Sequence, residues 1–467
     1  MCRFNDTMLE TAISWCAEEG HVPTRELVEW IHHRNKLIQV EIHKISLNES
    51  SFWYYDQEQG AITNLQNSFF NIRGLRCQSA DGKILEQPII IQNEIGYLGI
   101  ICKKIDGILH FLMQAKIEPG NINKIQISPT IQATKSNFTQ KHGGKQPAYL
   151  EYFLNSKKYE IIVDQIQSEQ SSRFFHKRNR NIIIRIERDI EQLPNFQWMT
   201  LGQIKHLMRF DNLVNMDTRT VLSCLPFSMT NFDNQQLRQI QEAGFSCVPL
   251  FNSVFRKSSQ NILPEIYQEI NNQKMFSETH PELCDIFSLQ EWKMCGSEFI
   301  CCNPYPFKLI FCDISIEGRE VQHWTQPLFE ANGIAIFALF CTEIRGVLQF
   351  LVHVTSEVGC FDIAEIGPSI QLEAGGQMPD NLVGRLLLEC LQTGNGIFHD
   401  VMLSEEGGRF YCEQNRNLLI KIPNEKLREL PQGYFWADYY TLNLLTQINN
   451  CLNIQLRNLL SLLEVFD

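Results

Sequence analysis

Polar residues suited to acid–base chemistry recur between positions 106 and 116 of the chain. Apolar and polar residues alternate here, so a period of two places His110, Gln114 and Lys116 on one face of a predicted strand. Groups that carry protons or donate hydrogen bonds are costly on a half-buried face unless they are paired or used. The pattern therefore indicates a site for proton transfer, and the alternative is a satisfied polar network at a sheet edge or a dimer interface.

A second polar segment follows, rich in hydroxyl, amide and ammonium groups. It consists of Thr134, Lys135, Ser136, Asn137 and Phe138, and a Lys-His-Gly-Gly-Lys run occupies positions 141–145. Backbone N–H groups of a glycine turn, together with a positive charge, can hold a pyrophosphate. The segment predicts a phosphate-binding loop, although an ordinary solvated loop has the same composition.

Tyr149 comes shortly after this loop, together with Tyr152 and Phe153. A tyrosine hydroxyl acts as a general acid or base where a nearby lysine lowers its pKa. Aromatic residues in such a cluster more often pack in the core. Trp53 presents a similar choice, since its ring either stacks on a nucleobase or fills the core.

The motifs of several common enzyme classes are absent from the sequence. No Gly-x-Gly-x-x-Gly follows a predicted strand, and there is no P-loop, no His-Glu-x-x-His and no carboxylate-rich metal-binding helix. The 16 cysteines include no Cys-x-x-Cys pair, so buried free thiols are expected rather than zinc or redox sites. We predict neither a cofactor nor a metal.

Length and composition indicate a two-domain globular protein. The chain has 467 residues, of which 44% are hydrophobic and 20% are charged. No apolar run reaches about eighteen residues, and the N-terminus does not resemble a secretory signal, so we expect a cytoplasmic protein without a membrane span. The net charge of −12 argues against general nucleic-acid binding, which requires clustered lysine and arginine.

An internal repeat organises the whole chain. Shifting the sequence by 239 residues brings equivalent positions together: Trp53 with Trp292, GILHFL at 107–112 with GVLQFL at 346–351, and SPTIQ at 128–132 with GPSIQ at 367–371. Further along the shift shortens slightly, and SEQSSRFFHKRNRN at 168–181 matches SEEGGRFYCEQNRN at 404–417. We predict two tandem modules, residues 1–235 and 236–467.

Each module combines helices with short buried strands. In the first module, residues 24–31 show a capping threonine and apolar residues at helical spacing. The apolar runs at 89–91 and 98–102 are typical of buried strands, and helices are predicted at 199–208 and 218–225. This mixture predicts an α+β sandwich in each module.

The two modules differ where chemistry is expected. Gln349 takes the position of His110, and the loop at 373–377 contains no lysine. An Asn-Arg-Asn core instead recurs around Arg180 and Arg416, which favours a structural or anion-binding role for these arginines. One active pocket and one pocket that only binds would produce this pattern.

Four segments of the first module are similar to those of a known enzyme family. They are HFLMQAKIEPGN (110–121), SPTIQATKSNF (128–138), SEQSSRFFHKRNRN (168–181) and VNMDTRTVLSC (214–224). The chain resembles the NDP-hexose 2,3-dehydratases over nearly its whole length. The resemblance implies two tandem Nudix-like α/β/α modules, a homodimer, and a nucleotide-sugar pocket in each half, of which the first is the working site. The sequence lacks the carboxylate-rich Nudix box, in keeping with a reaction that needs no metal.

The resemblance also implies which residues bind the substrate. The first pocket would use Trp53, Thr134, Lys135, Ser136, Asn137, Phe138 and Ser171. The second pocket would use Trp292, Gly407, Gly408, Arg409 and Phe410.

The implied substrate is dTDP-4-keto-6-deoxyglucose, and the implied product is a dTDP-linked 3,4-diketo-2,6-dideoxy sugar of deoxysugar and antibiotic biosynthesis. The ketone at carbon 4 acidifies the hydrogen on carbon 3; a base removes it, and the enolate expels the hydroxyl group of carbon 2. We expect His110 or Tyr149 to act as base and acid and Lys116 to stabilise the enolate. No redox cofactor is needed, and a 3-ketoreductase is expected downstream.

Two other functions are compatible with the same pattern. A Nudix-type nucleotide-sugar hydrolase would depend on Mg²⁺ and cleave at the pyrophosphate, which requires metal-binding carboxylates. A non-catalytic nucleotide-sugar-binding protein would bind dTDP in both halves and consume no sugar.

Overall fold

The computed structural model describes residues 2–78, 84–134, 146–257, 261–317 and 321–465. Its helices are α1 (Cys2–Cys16), α2 (Thr24–Leu37), α3 (Leu150–Leu154), α4 (Leu201–Leu207), α5 (Met216–Ser223), α6 (Asn234–Glu242), α7 (Val248–Phe255), α8 (Leu263–Phe276), α9 (Leu382–Thr393), α10 (Tyr439–Thr446) and α11 (Ile454–Ser461). Within the described ranges, no helix is both long enough and apolar enough to cross a membrane.

Strands occur in both halves of the chain. The first half contains β1 (Val40–Ile45), β2 (Trp53–Asp56), β3 (Ala61–Asn64), β4 (Asn71–Gln78), β5 (Ile84–Ile91), β6 (Gly96–Ile105), β7 (Ile108–Ile117), β8 (Ile125–Ser128), β9 (Ile131–Ala133), β10 (Glu160–Ser168), β11 (Phe174–Phe175), β12 (Arg178–Arg185) and β13 (Phe196–Thr200). The second half contains β14 (His280–Cys284), β15 (Trp292–Cys295), β16 (Glu298–Cys301), β17 (Phe307–Ile316), β18 (His323–Ala331), β19 (Ile336–Ile344), β20 (Val347–Thr355), β21 (Glu365–Gly367), β22 (Ile370–Leu372), β23 (Ile397–Ser404), β24 (Gln414–Lys421) and β25 (Tyr434–Asp438).

Each half contributes one large mixed sheet. The first large sheet has the order β10-β12-β6-β7-β13, with β8 beside β7 and β9 beside β6. The second has the order β21-β20-β19-β24-β23, with β22 beside β19 and β25 beside β20. The parallel pair of the first sheet, β12 with β6, corresponds to β24 with β19 in the second. The predicted α+β class and the duplication are both confirmed.

The two smaller sheets exchange a strand between the halves. β1 of the first half pairs antiparallel with β17 of the second, and β14 of the second half pairs antiparallel with β4 of the first. The remaining order is β11-β5-β4-β3-β2 in one small sheet and β17-β16-β15 in the other, with β18 also on β17. Each small sheet is therefore completed by the opposite half of the chain.

Apolar cores also join the halves. The largest core includes Leu109 and Phe111 of β7 together with their repeat counterparts Leu348 and Phe350 of β20. A second core lies at the small sheets, where Trp53 and Trp292 occupy one continuous cluster. The outer faces of the large sheets are covered separately, by α3 in the first half and α9 in the second. The predicted boundary at 235/236 falls within α6 and stays a prediction.

The alternation predicted for residues 106–116 is confirmed as β7. Leu109, Phe111 and Met113 enter the large shared core, whereas Leu112 packs in the outer core against the α3 side. A tight turn at Asp106 and Gly107, with φ of 48° and 85°, begins the strand, as expected for a two-residue hairpin.

The predicted terminal helices are confirmed as α4 and α5, and side-chain caps begin the equivalent last helices of the two halves. Asn215 Oδ1 accepts from Thr218 N at 2.8 Å before α5, and Asn453 Oδ1 accepts from Leu456 N at 2.9 Å before α11. The capping role predicted for Thr24 is wrong, because Pro23 holds the N-cap position of α2 and the Thr24 hydroxyl donates to a preceding carbonyl.

The cross-half hydrogen bonds of the two tryptophans lead to a stability prediction. Trp53 Nε1 donates to Thr325 O at 2.7 Å, and Trp292 Nε1 donates to Glu86 O at 2.9 Å. Replacing either indole by phenylalanine removes the donor and some packing, so we expect a loss of about 1–3 kcal/mol in the free energy of unfolding. Equilibrium urea unfolding measures this free energy. Tyr54→Phe, at an exposed position, is the control, and we expect its free energy of unfolding to stay within about 0.5 kcal/mol of the native value. If Trp53→Phe and Tyr54→Phe lower the free energy of unfolding equally, the stabilising role of the Trp53 hydrogen bond is contradicted.

Candidate functional site

A polar cavity of about 110 Å³ lies beside the first large sheet and is called the first cavity below. The residues that line it come from both halves of the chain. They are Phe69, Gln92, Gly96, Tyr97, Leu98, Lys116, Glu118, Gln132, Ala133, Thr134, Glu169, Phe174, Lys177, Asn179, Asp217, Glu406, Gly408 and Arg409.

A close backbone contact brings the second half to this cavity. Gly120 N donates to Gly407 O at 2.7 Å, and Cys412 N donates to Gly120 O at 2.9 Å. A Cβ atom at position 120 would lie 1.6 Å from the Phe410 carbonyl oxygen, so only glycine allows this approach. The contact places the first-half segment that carries Glu118 directly against the second-half segment that carries Gly408.

Several charged side chains in the first cavity have polar partners. Lys116 Nζ lies 2.5 Å from Glu118 Oε1, and Asn179 Nδ2 donates to Glu169 Oε1 at 2.7 Å. Lys177 Nζ donates to the backbone carbonyl of Glu94. Buried charges require such partners, because the protein interior solvates an isolated ion poorly.

Burial brings several of these groups toward a neutral form. Burial, together with the negative charges of Glu169 and Glu406, raises the pKa of Asp217 well above its usual range. Burial also raises the pKa of Glu169, although the Lys177 and Arg457 charges oppose this. Burial lowers the pKa of Lys177 to about 8, against the attraction of Glu169. In this cavity the shifts favour the neutral form of both carboxyl groups and of Lys177, as is common at sites of proton transfer.

The second half contributes one acid and one cation to the same cavity. Burial and the negative charge of Glu118 raise the pKa of Glu406, which the Arg409 charge partly offsets. The Arg409 guanidinium lies 4.3 Å from the ring centroids of both Phe69 and Phe70, and its Nη2 donates to Gln92 Oε1 at 3.2 Å. Aromatic rings and a hydrogen bond thus fix the position of this positive charge.

A second and larger cavity, of about 800 Å³, lies beside the second large sheet. Its lining is also composite, since Gln87, Ser172 and Arg173 reach it from the first half. Arg173 Nη2 donates to Glu373 Oε2 at 3.2 Å, and its guanidinium lies 3.9 Å from the Phe307 ring centroid. Arg173 is the repeat counterpart of Arg409, so each cavity receives the same arginine from the opposite half.

The repeat shows how the two cavities diverged. Thr355 replaces Lys116 at the end of the equivalent strand, and Gln455 replaces Asp217 in the equivalent helix. Glu413 stands in the position of Lys177, and burial raises its pKa to about 7. The second half has thereby lost two lysines and one carboxyl group that the first cavity retains, and it has gained the Glu413 carboxyl group.

The structure does not bring the three predicted catalytic residues together. Lys116 lines the first cavity, but His110 is buried elsewhere on β7, where its Nδ1 donates to Ile108 O at 2.9 Å and its Nε2 accepts from His21 N at 3.0 Å. Tyr149 packs in the outer core, and its hydroxyl donates to Glu191 O at 2.7 Å. Burial lowers the pKa of His110 and raises that of Tyr149. Their catalytic roles stay predictions.

Among the predicted binding residues, only some reach a cavity. Thr134 lines the first cavity, whereas Lys135, Ser136, Asn137 and Phe138 lie outside the described residues. Gly408 and Arg409 also line the first cavity, not the second as expected. Ser171 and Gly407 offer backbone carbonyls to Gly359 and Gly120, and Phe410 packs on Phe174 in the core. Trp53 and Trp292 are buried, with their indole N–H groups bonded to the opposite half.

Sequence reasoning missed the charged groups at the centre of the cavity. Glu169 and Lys177 lie in the repeated segment 168–181. Because both halves share the Asn-Arg-Asn core of this segment, the sequence favoured a structural or anion-binding role there. A usable signal was present, because lysine at position 177 becomes glutamate at position 413 within otherwise similar segments. Reversal of charge at one position of a repeat indicates that the two copies serve different purposes.

Comparison with known proteins identifies the family. The family model described as NDP-hexose 2,3-dehydratase matches residues 24–225 and again residues 263–463. The chain belongs to the NDP-hexose 2,3-dehydratase family. Its two matches coincide with the two halves of the repeat.

Curated relatives resemble the chain over nearly its full length, and three carry the name dTDP-4-dehydro-6-deoxy-alpha-D-glucopyranose 2,3-dehydratase. The relative from Saccharopolyspora spinosa is 36% identical over 465 residues, covering 98% of this chain and 94% of the relative. The relative from Amycolatopsis orientalis is 32% identical, covering 96% of this chain and 92% of the relative. The relative from Streptomyces violaceoruber is 33% identical, covering 92% of this chain and 95% of the relative. The match therefore includes both cavities.

Behind the cavities, a buried carboxyl group connects the two halves. Glu365 of β21 is 2% exposed, and its Oε2 accepts from the Ser168 hydroxyl at 3.0 Å. The repeat counterpart is Gln126, whose Nε2 donates to the Ser404 hydroxyl at 2.6 Å. Burial raises the pKa of Glu365 to about 7. An amide already occupies the equivalent position of the other half.

This carboxyl group leads to a pH prediction. The unfolded chain loses the Glu365 proton near pH 4.3 and the folded chain near pH 7, so its contribution to stability falls as pH rises between these values. Glu365→Gln removes this titration, and we expect its stability relative to the native protein to increase by about 1–3 kcal/mol from pH 5 to pH 8. Urea unfolding at both pH values measures the free energy of unfolding. Glu58→Gln, at an exposed position, is the control and should not change its pH dependence. If the free energies of unfolding of the native and Glu365→Gln proteins change equally between pH 5 and pH 8, the raised pKa of Glu365 is contradicted.

Proposed function

We propose that this chain is a dTDP-4-dehydro-6-deoxyglucose 2,3-dehydratase whose reaction takes place in the first cavity. Family membership supports the reaction class, and the names of the three curated relatives support this substrate. The first cavity is preferred because four carboxyl groups and three cationic side chains line it. Volume alone would favour the second cavity, but elimination requires groups that move protons and stabilise negative charge.

Glu169 is the proposed base. Its carboxyl group is buried, yet Lys177, Arg457 and Asn179 favour the ionised form. A base whose pKa is raised toward the working pH removes a weakly acidic carbon-bound proton more effectively. Removal of the hydrogen on carbon 3 as a proton leaves the electron pair in an enolate on the carbon 4 ketone. The Lys116 ammonium group, which lines the same cavity, stabilises the enolate oxygen.

Asp217 is the proposed acid. Burial and neighbouring carboxyl groups raise its pKa well above the usual range, which favours the protonated form that an acid requires. The enolate expels the hydroxyl group of carbon 2, which takes this proton and leaves as water. The resulting enol becomes the diketone when Asp217 accepts the proton of the carbon 3 hydroxyl and Glu169 returns a proton to carbon 2. Both carboxyl groups then regain their starting forms.

Arg409 is the proposed anchor for the diphosphate. Its guanidinium is held by the Phe69 and Phe70 rings, and planar guanidinium groups suit phosphate oxygens. Thr134, which lines the cavity, begins the segment predicted to bind pyrophosphate. The second cavity lies in the size range of ligand pockets, and we propose that it binds a nucleotide sugar without converting it.

Several further properties are part of this proposal. Each half has a mixed sheet with one parallel strand pair and helices on both faces, which supports the Nudix-like assignment. The homodimer and the cytoplasmic location remain predictions from the sequence. Because the product is a reactive diketone, a 3-ketoreductase is the expected next enzyme.

The activity is tested by incubating the purified protein with dTDP-4-dehydro-6-deoxyglucose in the presence of EDTA. We expect loss of one water from the substrate by mass spectrometry, or release of dTDP from the unstable diketone. Unchanged substrate that nevertheless binds would support a non-catalytic binding protein. A sugar phosphate that forms only with Mg²⁺ would support the hydrolase instead.

The assignment of Glu169 as the base is tested by one substitution made at equivalent positions. Glu169 and Glu405 are repeat counterparts, and each accepts a hydrogen bond from an asparagine, at 2.7 Å and 2.6 Å. We expect Glu169→Gln to lower kcat by about 100- to 10,000-fold, the usual contribution of a general base, and Glu405→Gln to lower it less than about tenfold. Steady-state kinetics on folded protein provides the comparison. Equal losses, or a larger loss in Glu405→Gln, would overturn the assignment of Glu169 as the base.

A further inference from the structure

Two fully buried arginines cross between the halves behind the cavities. Arg457 of α11 donates through Nη2 to the Ser168 carbonyl and through Nη1 to the Thr220 hydroxyl. Its repeat counterpart, Arg219 of α5, donates through Nη2 to the Ser404 carbonyl at 2.9 Å. Each arginine therefore holds the last residue of a strand that belongs to the opposite half.

A glutamate follows each of the two serines, Ser168 and Ser404, whose carbonyl groups accept these hydrogen bonds. In the second half it is Glu405, which does not line either described cavity. In the first half it is Glu169, the proposed base, whose backbone N–H also donates to Lys177 O at 3.0 Å. The peptide unit between Ser168 and Glu169 is thus hydrogen-bonded at both its carbonyl and its N–H group, and the bond to the carbonyl comes from an arginine of the other half of the chain.

We infer that Arg457 is a positioning residue for Glu169, holding it at the first cavity from the opposite half of the chain. This inference rests on the proposed function, because it assumes that Glu169 is the base. Arg457 has no access to the substrate, since it is fully buried and does not line the first cavity. Its effect is exerted through the Ser168 carbonyl and through its charge.

Charge gives Arg457 a role that a purely structural residue would lack. The groups facing Glu169 are Lys177, Asn179, Arg457, Asp217 and Glu406. Of the two cations, Lys177 has a pKa lowered to about 8, so it loses its charge in the alkaline range, whereas a guanidinium remains charged. The Arg457 charge therefore favours the ionised form of Glu169 throughout this range, and its loss matters most near pH 6, where Glu169 is most readily protonated.

The test compares Arg457→Gln with Arg457→Lys. Glutamine retains an N–H donor but removes the charge, and lysine retains the charge but loses the planar pair of donors. Loss of the charge disfavours ionised Glu169, so in Arg457→Gln we expect the ratio of kcat/KM at pH 6 to that at pH 9 to fall roughly tenfold. We expect this ratio to stay within about twofold of the native value in Arg457→Lys. Arg457→Met provides a second neutral variant if Arg457→Gln does not fold.

The outcomes separate this inference from the proposed function. If Glu169→Gln lacks activity but the neutral Arg457 variants lose rate equally at all pH values, Arg457 is only structural and the inference is wrong. An equal change of the ratio in Arg457→Lys would also overturn it, because the charge is then irrelevant. If Glu169→Gln retains native turnover, the proposed base is wrong, whatever the Arg457 variants show.

Discussion

Charges withdrawn from water dominate the first cavity, and their stabilisation depends on both halves of the chain. Lys116 and Glu118 come from the end of β7, whereas Arg409 and Glu406 come from the second half. Moving an ion into the protein interior costs several kcal/mol unless partners replace the lost water. Beside the cavity, Gly120 allows the backbones of the two halves to approach within hydrogen-bonding distance. The cavity is therefore a property of the duplicated chain rather than of one module.

The rest of the architecture maintains this contact. Reciprocal exchange of β1 and β14 attaches each half to the small sheet of the other. Two apolar cores continue across the junction, so a relative movement of the halves would expose buried surface in both. Buried arginines add directional hydrogen bonds to the same junction. A site that needs accurate placement of proton-transfer groups benefits from such a rigid frame.

Duplication also explains why the chain contains two cavities of unequal chemistry. Each receives an equivalent arginine from the opposite half, Arg409 in the first and Arg173 in the second. The second has lost the counterparts of Lys116 and Asp217 but is considerably larger. The second cavity thus keeps the arginine but has fewer groups for acid–base chemistry. This combination is expected of a pocket that still binds its ligand but no longer catalyses a reaction. This divergence supports the proposal that the reaction takes place in the first cavity, which cavity size alone would not favour.

The sequence by itself determined the repeat, the α+β class and the alternating faces of β7. These features depend on local periodicity and self-similarity, which a linear sequence records directly. It also pointed to the dehydratase family, and the family match confirms this.

Only the tertiary structure decided which polar residues share a cavity. His110 and Lys116 were predicted on one strand face, yet His110 is covered by the segment at His21 while Lys116 reaches the cavity. Arg409 lies in the first cavity although it belongs to the second half. Periodicity reports the face of a strand but not what covers it, and cross-half neighbours arise from contacts separated by hundreds of residues.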